Sequence, residues 1–287
     1  MKDTMKKWNL TGRVCLVTGG TSGVGRAIAS GLAALDASVV ITSQSARRGA
    51  DAAHRIQEET GNTSVSARVL DLGDLADIRR FSAEFTGEFR NLHVLSNNAA
   101  VLPMQRQETV DGFEKIFGIN YLGHFALCAG LLPVLKQSAP ARVITVSGDP
   151  CILKYGTIDL DDLNLTKGYN PFKATVRAAF AKVVFSRELS RRLKSTGVTS
   201  NTFHPGLVKT SLTRNFPAPV RAAASTVQVF FTGRCKTGVY LAASPDAEQE
   251  TGRFFKNSRP VTFRPLRSLE TYGPLLWEKS GEMAGTA

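Results

Sequence analysis

The sequence predicts a doubly wound α/β fold: a parallel sheet with helices packed on both faces. One observation is a glycine-rich turn, TGGTSGVG at 18–25, set between an apolar run and a helical pattern. The other is the alternation of short β-branched stretches with amphipathic helical periods along the rest of the chain. At 287 residues the chain has a length that such a sheet takes as one domain. With no internal repeat and no linker-like stretch, 1–287 reads as a single domain carrying an insert at 215–233.

The first strand is expected at 13–18, around Val14-Cys15-Leu16-Val17, and the helix after the turn places Val24, Ile28, Leu32 and Leu35 on one face. A strand, a tight turn and a helix start suit a pyrophosphate, because glycines let the backbone approach closely and the free helix N–H groups favour anions. Further strands are expected at 38–42, 64–70, 93–96, 142–147 and 198–203, with a last one near 252–256. Helical periods show at Leu75, Ile78, Phe81 and Phe85 and again at Phe185, Leu189 and Leu193. Right-handed crossovers then give a parallel sheet, whose ligands bind beyond the carboxyl ends of the strands.

The formal charge is +12, with basic residues recurring late at Arg253, Lys256, Arg259, Arg264 and Arg267. No nucleic-acid module or aromatic interleaving accompanies them, so they read as a solvated surface that also attracts an anionic cofactor. The opening MKDTMKKWNL breaks into charge before a long apolar segment forms, which leads to the expectation of a soluble cytoplasmic protein without a signal peptide or membrane span. The four cysteines contain no CxxC pair and the four histidines no ligand-spaced cluster, so neither a disulfide framework nor a metal is expected.

Beyond the glycine turn, the chain carries Asp71-Leu72 after the third strand and NNAA at 97–100 after the fourth. FGINYLGHF at 117–125, RVITVS at 142–147, FSRELSRRL at 185–193 and HPGLVKT at 204–210 follow. In these motifs it resembles the short-chain dehydrogenase/reductase superfamily, with its Rossmann fold. Within that superfamily it is similar to the retinol dehydrogenases and to the oxidoreductase domain of WW-domain oxidoreductase. The resemblance runs from Leu10 to a final helix around 274–283. It implies that Gly19, Ser22, Gly23, Val24 and Gly25 surround a cofactor pyrophosphate and that Asp71, beside Leu72, accepts from the adenine amino group. Asn97 and Ala99 would pack along the ribose; for Asn97 and Asn98, turn and sheet stabilisation alone is the other reading. The 204–210 segment, with Pro205, Gly206 and Thr210, would line the nicotinamide.

Cofactor choice is read after the second strand, where a carboxylate takes the ribose hydroxyls of NAD and basic side chains favour a 2′-phosphate. The chain there reads Thr42-Ser43-Gln44-Ser45-Ala46-Arg47-Arg48, without a carboxylate. NADP(H) is therefore expected through Arg47 and Arg48, with NAD(H) the alternative if both arginines are surface charges opening a helix.

The departure from the family lies in the chemistry. The resemblance implies a tyrosine that exchanges the proton, a lysine four residues later that lowers its pKa and holds the ribose, a serine that orients the carbonyl and an asparagine that supports the lysine through a water. A free phenol near pKa 10 is a poor base at neutral pH until a cation stabilises its phenolate. Matching FKATVRAAFAKVVFSREL to the family's run, and counting back from Pro205-Gly206, places the tyrosine at Thr175 and the lysine at Ala179. The serine position is Gly148, after Ser147; Asn120 is retained. Tyr169 and Lys173 have the right mutual spacing but lie too early, with Pro171 between them marking a loop or helix start.

Ser147, Asp149, Tyr155, Thr175 and Asn120 are the candidate catalytic or orienting residues, with Cys151, Lys182 and His204 as further polar groups nearby. Asp149 is either a group that binds a cationic substrate or acts as a base, or a turn residue in Gly-Asp-Pro; His204 suits packing; Lys182, one residue short of a full helical turn from Ala179, reads as a solvated residue on a neighbouring helix face. The apolar 215–233 segment suits either a lid over a hydrophobic ligand or an ordinary packed helix.

The expected function is that of an NADP(H)-binding enzyme with an atypical centre, acting on a hydrophobic small molecule in specialised metabolism. It would deliver hydride to an activated electrophile such as an iminium, or carry out a redox-neutral isomerisation or cyclisation. The alternative is a non-catalytic partner subunit or cofactor sensor. A homodimer or an intact paralogue would be the protein partner.

Overall fold

The computed structural model describes residues 8–206, 208, 233–263 and 269–286. Chain order is β1 (Val14–Val17), α1 (Gly23–Ala33), β2 (Ser38–Ser43), α2 (Ala46–Thr60), β3 (Val65–Val69), α3 (Leu75–Glu88) and β4 (Val94–Asn97). Next come α4 (Lys115–Gln137), β5 (Ala141–Val146), α5 (Pro150–Leu153), α6 (Pro171–Arg192) and β6 (Val198–Phe203). The chain ends with α7 (Lys236–Ala243), β7 (Phe254–Lys256), β8 (Arg259–Val261) and α8 (Leu269–Ala284).

The strands form one sheet in the order β3-β2-β1-β4-β5-β6-β7-β8, parallel except for β8. The predicted strands all form. The sequence reading did not include the closing hairpin, in which Asn257 and Ser258 take positive φ between β7 and β8. Both central residues are left-handed, as a two-residue hairpin that follows the sheet twist requires. The final helix starts at Leu269, earlier than expected, and carries Pro274 inside it.

Helices cover both faces. On one, α1, α2 and α7 bury Ile28, Leu32, Ile56 and Val239 against Val17, Val39 and Ile41. On the other, α3, α4, α6 and α8 bury Phe81, Tyr121, Phe125, Phe185 and Leu276 against Leu16, Leu95 and Val143. Strand order reverses beside β1, which lies between β2 and β4. A crevice opens there, beyond the carboxyl ends.

α4 widens into a π turn at Gly118–Leu122. Such turns often mark functional positions within a helix. This one holds the carbonyl of Asn120 on the buried His124 ring, with Nδ1 at 3.1 Å.

Candidate active site

A cleft of about 610 Å³ occupies the crevice. One end is the glycine turn, where Gly19, Ser22, Gly23, Val24 and Gly25 line it as expected. The glycines are needed sterically. A Cβ on Gly19 would sit 2.8 Å from Ala99 Cα, and one on Gly25 would sit 2.4 Å from the Gly19 carbonyl oxygen. The turn therefore lies against the β4 loop and opens at the α1 N-terminus, a backbone cradle for an anion.

Next along the cleft, Thr42, Ser43, Gln44 and Arg48 form the wall after β2, facing Leu70 and Leu72 after β3. Both arginines are exposed, but Arg48 lines the cleft and Arg47 lies outside the lining. The two arginines are consecutive on α2 and so point in different directions, which corrects the expectation that both face the ligand. Asp71 stands behind the wall: its Oδ1 accepts from Gln44 Nε2 at 2.9 Å and from the Gly73 backbone at 2.8 Å. The carboxylate thus fixes Gln44 instead of contributing to the lining.

After β4, Asn98, Ala99 and Val101 line the cleft, while Asn97 is fully buried in the sheet and donates to Thr145 Oγ1 at 3.3 Å. Its sheet-stabilising reading is the one the geometry matches. Asn120 also lines the cleft. Its Oδ1 accepts from Val101 N at 2.8 Å and its Nδ2 donates to Val101 O at 3.0 Å. The amide is thereby spent on holding the β4 loop.

His124, absent from the sequence expectations, completes this framework. The Asn120 carbonyl can only accept, so Nδ1 carries the ring proton and Nε2 accepts from the Thr18 hydroxyl at 2.9 Å. The Thr18 oxygen in turn accepts from the Asn98 and Ala99 backbones at 2.8 and 3.1 Å. Burial, with the nearby Lys182 charge, pushes the His124 pKa down to about 3. The ring is therefore neutral, and this one tautomer joins α4 to the glycine turn and the β4 loop. The motif GINYLGHF contains the signal, a histidine four residues after the asparagine.

At the far end, Ser147, Gly148, Thr175, Ala179 and Pro205 line the cleft; Gly206 does not, and Thr210 lies outside the described residues. Ser147 donates to the Ala179 carbonyl at 2.8 Å and Thr175 to the Pro171 carbonyl at 2.7 Å, so both hydroxyls are engaged by α6. Positions 175, 179 and 182 are i, i+4 and i+7 of one helix stripe. Lys182 accordingly lines the cleft and is only 7% exposed, contrary to the reading of a solvated residue. Its ammonium has no hydrogen-bond or ion-pair partner among the described residues. Burial pushes its pKa down to about 8.

Two candidates fall outside the cleft. Asp149 caps α5 by accepting from Cys151 N at 2.9 Å, and its Oδ2 lies 2.7 Å from Lys256 Nζ and 3.4 Å from His204 Nε2. Partial burial works against its charge, but Lys256 and the Cys151 donors prevail and hold the carboxyl well below the usual range. It is the turn residue of the two readings, not a base facing the ligand. Tyr155 is 62% exposed, beyond the short helix. Tyr169, whose hydroxyl donates to Pro103 O at 3.3 Å, and Lys173 are likewise absent from the lining, with Pro171 opening α6 as expected. Of the 215–233 insert only Gly233 is described.

A glycine cradle at one end, a polar wall after β2 and a helix stripe at the other end define a dinucleotide-binding oxidoreductase fold. The chain belongs to the short chain dehydrogenase family, whose profile matches residues 13–157. It is 37% identical to human retinol dehydrogenase 14 over 96% of this chain and 87% of the relative. It is 42% identical to human retinol dehydrogenase 11 with the same coverage. Among solved structures, an uncharacterized protein from Mycobacterium Paratuberculosis superposes with a TM-score of 0.75 at 28% identity, covering 98% of this chain and 97% of that one. The Pseudomonas aeruginosa RhlG/NADP active-site complex superposes with a TM-score of 0.68 at 26% identity, covering 94% and 99%.

These findings correct the cytoplasmic expectation. The relatives are dehydrogenases named for retinol, a lipid-soluble alcohol, and α4 is long and apolar enough to cross a membrane by length and composition. Its most apolar window is 78% buried within the fold. Charge near the N-terminus therefore does not assign the chain to the cytoplasm.

Proposed function

We propose that the chain binds NADP(H) in this cleft and transfers hydride between the nicotinamide and a hydrophobic small molecule, without a phenolic proton donor. The observation that carries this is the lining itself: among its described residues there is no tyrosine, histidine, carboxylate or thiol, and Arg48 and Lys182 are its titratable groups. The cradle at Gly19 and Gly25, Arg48 beside Gln44, and the unpartnered Asn98 Oδ1 suit the cofactor. The RhlG neighbour, solved with NADP, supports the same choice.

When bound, the cofactor supplies a hydride. The glycine turn and the α1 N-terminus would hold the pyrophosphate, Arg48 a 2′-phosphate, and Pro205 the nicotinamide side. Val101, Leu102, Val146 and Ala179 give the lining apolar surface. An electrophile that needs no proton matches a lining without a proton donor: hydride added to an iminium carbon yields a neutral amine, so no oxyanion has to be protonated.

The test is turnover of apolar imines and apolar ketones with 4-deuterated NADPH, followed by mass analysis. Deuterium in the amine product, with ketones reduced far more slowly, is the expected result. Product formed without label would replace hydride transfer by a redox-neutral reaction. No turnover, combined with a rise in the activity of an intact relative on mixing, would make the chain a partner subunit.

A further inference from the structure

Among the described residues that line the cleft, Lys182 carries the only amine. It is 7% exposed and has no partner among the described residues, yet its Nζ is not one of the polar atoms sealed from solvent without a hydrogen bond. The amine therefore keeps an opening, and the cleft that Lys182 lines is that opening. The surroundings disfavour its charged form. No carboxylate lines the cleft, and His124, the titratable ring whose field reaches Lys182, is neutral. Ser147 spends its hydroxyl proton on the Ala179 carbonyl, and the Asn120 amide is held by Val101. An unpaired buried ammonium is costly, so burial pushes the pKa down to about 8 and leaves a share of the amine neutral at neutral pH. An ammonium has no lone pair to give, whereas a neutral lysine in apolar surroundings is a nucleophile toward carbonyl carbon. Thr175 and Ala179, on the same helix stripe, end in short side chains, and Val101, Leu102 and Val146 add apolar surface. A carbonyl group on an apolar body meets both features.

We propose that Lys182 captures an apolar aldehyde in this cleft as a Schiff base. The neutral Nζ adds to the carbonyl carbon, and the C–N bond forms as the carbonyl π pair moves onto oxygen. Both hydrogens of the amine then leave with that oxygen as water, and a C=N bond remains. Nothing is oxidised or reduced, so capture consumes no cofactor and stands apart from the NADP(H) reading. An uncharged Schiff base also replaces a charge that the cleft does not pair, which favours the adduct over the free ammonium.

The test is incubation of the full chain with decanal, addition of borohydride to reduce the C=N bond to a stable secondary amine, and mass analysis of the intact protein and its peptides. The expected result is one early adduct, on the peptide that contains Lys182. It should form about 10- to 100-fold faster than adducts on surface lysines, because a pKa lowered from 10.5 to about 8 supplies far more neutral amine, offset in part by its weaker basicity. Glyceraldehyde, a polar aldehyde, is expected to show no preference for that peptide. Lys182→Met keeps the buried stem and removes the amine; the early adduct should vanish while slow surface labelling continues. Decanal spread over the lysines of the unmodified protein, with the Lys182 peptide no faster than the rest, would overturn the proposal without recourse to the variant. So would an equal preference of glyceraldehyde for that peptide, or an early adduct that persists in Lys182→Met.

Discussion

Asn120 and Val101 exchange two hydrogen bonds, Val101 N to Oδ1 at 2.8 Å and Nδ2 to Val101 O at 3.0 Å. A side chain here imitates a strand partner and ties the π turn of α4 to the loop that floors the cleft. Asn120→Ala leaves both Val101 groups without their partner, at a cost of about 1–3 kcal/mol. Denaturant unfolding should show that loss. Asn120→Asp, which keeps the acceptor and forfeits the donor, should fall between the two proteins; a stability equal to the unmodified chain would mean that the pair contributes nothing.

Arg48 and Arg47 should separate in cofactor binding. Arg48→Ala is expected to weaken NADPH about tenfold or more while leaving NADH unchanged, because only the former carries the 2′-phosphate. Arg47→Ala, outside the cleft lining, should alter neither. Equal effects of the two substitutions in calorimetry would remove the assignment of Arg48.

His124 makes stability fall in acid. Its pKa is lowered in the folded chain, from 6.5 to about 3, so between those values the unfolded chain binds the proton and the folded chain does not. Its contribution is thus complete above pH 6.5 and is lost progressively toward pH 3. Unfolding free energies measured over that range should slope less steeply in His124→Phe than in the unmodified protein. NMR signals of the ring should not titrate between about pH 8 and 5; a midpoint near 6.5 would contradict the buried neutral tautomer.

Asp149 should matter for folding and not for the ligand. Asp149→Ala removes the cap of α5 and the Lys256 pair, an expected loss of about 1–2 kcal/mol. Dinucleotide affinity should stay within about twofold. A large drop in affinity with unchanged stability would return Asp149 to the site.

Gly148 has room for a side chain: an added Cβ would lie 3.5 Å from Leu153 and 3.6 Å from Ala179, ordinary contacts. Gly148→Ser with Thr175→Tyr and Ala179→Lys would supply a carbonyl ligand, an acid and its activating cation. Since general acid catalysis is worth about 10²–10⁴-fold, retinol oxidation should rise over the unmodified chain by that order. Equal rates in both proteins would show that the reacting centre lies elsewhere.

The glycine turn, strand sequence and helix faces were legible because period and turn chemistry are local. Asp149 was ambiguous because its decisive partner, Lys256, comes from β7, far along the chain. Lys182 reads as lying on a neighbouring face because three residues from Ala179 fall short of a full turn, whereas counted from Thr175 it completes an i, i+4, i+7 stripe. The His124 bridge needs three elements at once, and no window of sequence contains them.

The hairpin at β8 has one further effect. Lys256 pairs with Arg259 across its two-residue turn, so the next pair, Phe255 with Pro260, is the one whose main-chain groups point away from each other. Pro260 thus turns its ring nitrogen toward the open border of the sheet, where an approaching strand would look for an N–H and find none. Flanked by the exposed charge of Arg259, this three-residue strand ends the sheet. A strand from another copy that approached this border would find no backbone donor at Pro260.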